Sequence, residues 1–157
     1  MSGEPIPVGP DLLAEWLSRP GLSQRQLDYL AQLGVSLAAQ ERAGGLALMK
    51  VTTCNALFMP YPAGRRMVIV PVWAGAAPSW FNLVEDPWLD DLVAFLPNDP
   101  GCCWWRIGNG GILGADNYML AVDTGRPITI HPHPLAWLRA DCRGAAVLSP
   151  LDFEAAA

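Results

Sequence analysis

The run 67–73, Met-Val-Ile-Val-Pro-Val-Trp, constrains this chain more than any other stretch. It is apolar throughout and rich in β-branched residues, whose crowded Cβ atoms favour a pleated backbone. A strand on a half-wet sheet alternates apolar with polar residues. This run does not alternate, so it needs cover on both faces. Pro71 lacks an N–H for the ladder and marks a bulge or an edge inside the strand.

A second stretch, 101–114, organises the remainder. Its centre, 103–107 (Cys-Trp-Trp-Arg-Ile), is short, aromatic and bracketed by turn residues, which predicts a strand. The glycines after it free the backbone to take positive φ and let a partner backbone or a phosphate come close. The segment 108–114 departs from a dinucleotide-binding fingerprint, because Leu113 stands where the third glycine belongs. A tight turn or bulge is the plainer expectation.

Around these two runs the pattern predicts helices over 11–18, over 24–33 behind the N-cap Ser23, and over 37–42 behind Ser36. Strands follow over 46–52, 56–59 and 91–95, with small ones at 128–130 and 145–148. Residues 117–122 fit a strand or a short helix. Pro134 sits at the first turn of a helix over 135–142. The expectation is one α+β domain over 1–157, long enough to bury a core. It divides into a helical N-terminal subregion (1–45), a mostly antiparallel sheet-rich body (46–150) with a helix near the C-terminus, and a tail (151–157).

Composition removes several function classes. With 52% apolar and 16% charged residues the chain is not disordered. No apolar run reaches membrane-spanning length and the first residues lack a secretory layout, so the expectation is a cytoplasmic protein with no membrane partner. Net charge is −5, with Lys50 the only lysine. That balance argues against binding nucleic acid mainly by phosphate neutralisation, although Arg65-Arg66 and Arg139/Arg143 form local patches. Cys54, Cys102, Cys103 and Cys142 lack zinc-ligand spacing and read as buried free thiols. The 30–36 segment hints at a helix-turn-helix, yet its second helix offers only Gln40 and Arg42 as readers before glycines intervene.

Candidate chemistry is sparse. His131 and His133 alternate on an extended segment and face one side, as two metal ligands would, but two ligands do not make a site. Asp90-Asp91 and Glu85-Asp86 read as solvated acidic pairs rather than a general acid–base couple. Seven tryptophans are the oddity. Trp73, Trp137 and one of Trp104 and Trp105 fall on core-like patterns. Trp80 and Trp88 fall among acids and turns, where exposed rings anchor protein partners or stack on bases.

Two sets of residues carry a resemblance. Leu22-Ser23, Leu27-Asp28-Tyr29-Leu30, Leu33-Gly34-Val35, Arg42-Ala43-Gly44, Phe58-Met59-Pro60-Tyr61 and Val70-Pro71-Val72 resemble the segment preceding the toprim core of phage and plasmid primases. Downstream, Asp91-Leu92-Val93-Ala94-Phe95, Trp104-Trp105-Arg106-Ile107-Gly108, Gly111-Ile112-Leu113-Gly114 and Pro134-Leu135-Ala136-Trp137-Leu138-Arg139 resemble proteins of bacterial prophages and mobile elements. Together they cover about two thirds of the chain. The magnesium-holding acids of a toprim core and the zinc cysteines of primases have no counterpart. The resemblance therefore implies a catalytically empty relative with a place in DNA replication.

The leading expectation is a non-enzymatic interaction module without cofactor or metal. It would bind a protein partner, such as one of the replication machinery, through Trp80, Trp88, Trp104, Arg106 and Asn109. The alternative is a single-stranded nucleic-acid binder using Arg65, Arg66, Arg106 and exposed tryptophans. A metal-dependent hydrolase at His131/His133 with Asp90 or Asp91 ranks third. A homodimer is a further way to cover apolar surface.

Overall fold

The computed structural model describes residues 11–78 and 87–148. Three short helices come first: α1 (Leu12–Leu17), α2 (Gln24–Gln32) and α3 (Leu37–Arg42). Each begins where a side chain satisfies the free N–H groups of the first turn. Asp11 accepts from Ala14, Ser36 from Ala39, and Ser23 forms a reciprocal capping box with Gln26. Caps of this kind contribute about 1 kcal/mol each, and both serines were legible as caps.

The strands are β1 (Ala47–Cys54), β2 (Leu57–Pro60), β3 (Arg65–Trp73), β4 (Leu89–Leu96) and β5 (Asp99–Trp105). After them come β6 (Gly111–Leu113), α4 (Ala115–Thr124), α5 (Pro134–Arg139) and β7 (Ala146–Leu148). The α+β class stands. The expected sheet needs correcting: the first five strands close into a barrel in the order β1-β2-β5-β4-β3, and β6 pairs with β7 in a separate ribbon. Four barrel seams are antiparallel, and the fifth is parallel, made where Leu57 of β2 lies opposite Trp105 of β5. Closure leaves the barrel no long unpaired edge among the described residues.

Side chains from all five strands meet in one apolar cluster, including Val51, Phe58, Ile69 and Leu92, with Trp104 packed beside it. That cluster fills the barrel, and Leu12 and Trp16 of α1 join it as a stopper. A second cluster joins Val68, Val70 and Val72 of β3 to Leu30, Ala39, Leu135 and Leu148 of the outer elements. The run 67–73 is therefore buried along its whole length, one face in the barrel and the other under helices. Pro71 lies beyond Ile69, the last β3 residue paired with β1, and a bulge against β4 follows at Val72/Trp73. The proline stands where one flank of the strand is open.

Three other expectations change. Residues 117–122 are helical, within α4. Instead of a strand at 128–130 there is a single bridge, Ile130 to Ala145. The last helix stops at Arg139 rather than reaching Cys142, because Asp141 and Cys142 turn the chain with φ of 54° and 60°. The 151–157 tail lies outside the described residues.

Candidate functional site

Asp91 of β4 has no solvent exposure, although the sequence suggested a solvated acid. Its Oδ1 accepts from the backbone N–H groups of Leu92 (2.9 Å), Arg106 (3.1 Å) and Ile107 (3.0 Å), and its Oδ2 from Gly110 (3.0 Å). The glycine loop that invited a phosphate is thus wrapped around the chain's own carboxylate. Gly111 adopts φ 138°, and a Cβ there would lie 2.6 Å from Val72 Cγ1, so only glycine closes the loop onto β3. Burial raises the Asp91 carboxyl above the usual range, and the surrounding N–H groups pull it back. Every partner is a donor, so the cage suits the anion.

The residues expected to form a binding surface are differently employed. Arg106 makes a forked pair with Glu15 of α1 (Nε–Oε2 3.1 Å, Nη2–Oε1 3.1 Å) and is largely covered. That pair fastens the stopper helix to the end of β5. Asn109 donates from its amide to the Asp90 carbonyl at 3.2 Å. Trp104 packs against the barrel interior. Trp80 lies outside the described residues. Trp88 is 73% exposed, and its carbonyl accepts from Ala74 N–H at the end of β3.

Among the described residues His131 and His133 do not converge on acids. His131 Nε2 lies 2.8 Å from the Arg143 carbonyl, and His133 Nδ1 caps α5 by accepting from Ala136 N–H. Among the described residues no three His, Cys, Asp or Glu side chains gather as a metal site. The helix-turn-helix readers also face elsewhere: Gln40 is buried, and Arg42 donates to the Asp141 carbonyl. All four cysteines are free, but only Cys103 and Cys142 are buried as expected, while Cys54 is exposed and Cys102 partly so. Burial pushes the Cys103 and Cys142 thiols up to about 12, which makes both poor nucleophiles.

Beside the Trp88 end lies a cavity of about 250 Å³ between Trp73, Gly75, Arg42, Trp137 and the first turn of α4 at Gly114 and Asp116. The helix that starts there is unusual. Of its ten residues only Ala115 is buried, while Met119, Leu120 and Val122 are 55–63% exposed. It has no side-chain N-cap, and Asn117 ties it to the body by donating to the Cys142 and Gly144 carbonyls. Three near-consecutive apolar residues without an amphipathic stripe gave no periodic signal of a helix, so this surface was missed.

No family model matches the chain. Neither a curated protein nor a solved structure matches it.

Proposed function

We propose that the protein is a non-enzymatic interaction module that binds a protein partner through Trp88 and the outer face of α4. One observation carries the reading: α4 buries one residue in ten and presents Met119, Leu120 and Val122 to solvent. A ten-residue helix is marginal by itself and is normally held by packing its apolar face. With 55–63% of each residue still exposed, covering it would gain roughly 1–2 kcal/mol apiece. Trp88, joined by its backbone to Ala74 beside the cavity under α4, supplies the large ring typical of an interface anchor. The resemblance to primase-associated and prophage segments supports a replication setting on a mobile element. A second copy of the chain is the simplest partner to test first.

The test places a photo-crosslinking residue in turn at Trp88, Met119, Leu120 and Val122 in host cells, with Asp123 as the control position. A discrete protein adduct from position 120 that Met119→Asp together with Val122→Asp abolishes supports the reading. Absence of any adduct from positions 88, 119, 120 and 122 overturns it. Sedimentation of the purified protein over a hundred-fold concentration range then separates self-association from a different partner.

A further inference from the structure

On another face of the barrel, four cations gather around an exposed ring. Lys50 of β1 and Arg66 of β3 are direct cross-strand partners, and Arg65 follows opposite Val51. Arg25, in the first turn of α2, completes the set. All four side chains are exposed, as is Tyr29, one helical turn after Arg25. Two depressions of about 480 and 390 Å³ meet here and share Tyr29, Leu48 and Arg66, so they form one groove. Arg25 lines one end and Arg65 the other, while Lys50 does not line the groove but borders it across the ladder from Arg66.

Among the described residues these cations lack internal side-chain partners, as do the exposed Arg126 and Arg143 elsewhere on the surface, and what sets them apart is that they lie together. Arg19, Arg42, Arg106 and Arg139 each donate hydrogen bonds to their own chain. Arg25, Lys50, Arg65 and Arg66 make no salt bridge or side-chain hydrogen bond among the described residues. In a chain of net charge −5 such a set is not a statistical excess of bases. Like charges directly opposite on a ladder are unfavourable, so Lys50 facing Arg66 is a standing cost that an anion would relieve. The acids in view are few. Asp99 lines the Arg65 end and accepts from the Cys102 thiol at 3.0 Å, while Asp28 of α2 accepts from Gln24.

We infer that this groove binds single-stranded nucleic acid, with Arg25, Lys50, Arg65 and Arg66 on phosphates and a base stacked on Tyr29 over Leu48. Cations flanking an apolar floor and an aromatic face match a ligand in which anions alternate with flat rings. Duplex DNA would offer the phosphates but keep its bases from the ring. The site is separate from the α4 face, so each assignment can fail alone.

The experiment is fluorescence anisotropy of a labelled oligothymidylate of about twelve nucleotides, titrated with the full chain at several salt concentrations. With up to four phosphates neutralised, log K should fall with log salt at a slope of about −2.8. Arg65→Ala with Arg66→Ala should halve that slope. Tyr29→Ala should weaken binding about ten-fold or more at unchanged slope, and Tyr29→Phe should restore it. Each variant is checked for an unchanged melting transition, which surface substitutions should preserve. No binding at low salt, equal binding to duplex, or insensitivity to either Tyr29→Ala or the arginine pair would overturn the assignment.

Discussion

The loop around Asp91 and the groove around Arg66 are both shaped for an anion, and they differ in where the anion comes from. At the loop, four backbone N–H groups converge on a carboxylate supplied by the adjacent strand. At the groove, four cations face solvent with no carboxylate paired to them among the described residues. The first is a completed internal structure whose loss should cost stability. The second should cost nothing when removed, and affinity should carry the whole effect. A glycine-rich loop is therefore no guide to ligand binding until its donors are accounted for.

The largest test of that contrast is Asp91→Ala. It strands several buried donors, and the urea-unfolding free energy should fall by roughly 4 kcal/mol. Gly111→Ala comes next, at about 2 kcal/mol, since its φ of 138° and the approach to Val72 both resist a Cβ. Arg66→Ala should change the unfolding free energy by no more than about 0.5 kcal/mol, with a slight gain as Lys50 is relieved of its neighbour. A large loss there would make the groove structural and erase the contrast.

The smallest effect concerns a neutral acceptor in the same role as the Asp91 anion. Burial, with the Arg139 and His131 charges, lowers the His133 pKa below its usual value, and its ring must stay unprotonated at Nδ1 to cap α5. The unfolded chain then takes up a proton first as pH falls through the ordinary histidine value. The His133 contribution is complete above that value and is lost on acidification. His133→Asn keeps a cap without titrating, so from pH 7.5 to 5.5 wild type should lose more of its urea midpoint than the variant.

Local signals account for what the sequence disclosed. Ser23 and Ser36 mark helix starts within three residues of the groups they satisfy. The β-branched run of β3 announces burial on both faces without reference to anything distant. Barrel closure left no such trace, because it depends on Leu57 meeting Trp105 from far along the chain. Asp91 looked solvated because its partners at Arg106, Ile107 and Gly110 lie 15–19 residues away. The groove was half legible: Arg65-Arg66 stood out as a pair, but Arg25, Tyr29 and Lys50 join them only through the fold.

The fork between Glu15 and Arg106 joins residues separated by 91 positions. During synthesis, α1 emerges long before the strand end that fastens it, so the barrel cannot be corked until most of the polypeptide has left the ribosome. A nascent chain arrested before Arg106 would keep Trp16 and the Ile69 side of β3 uncovered and attractive to chaperones. Completion of β5 should release it abruptly, which makes acquisition of the native state a late and concerted event.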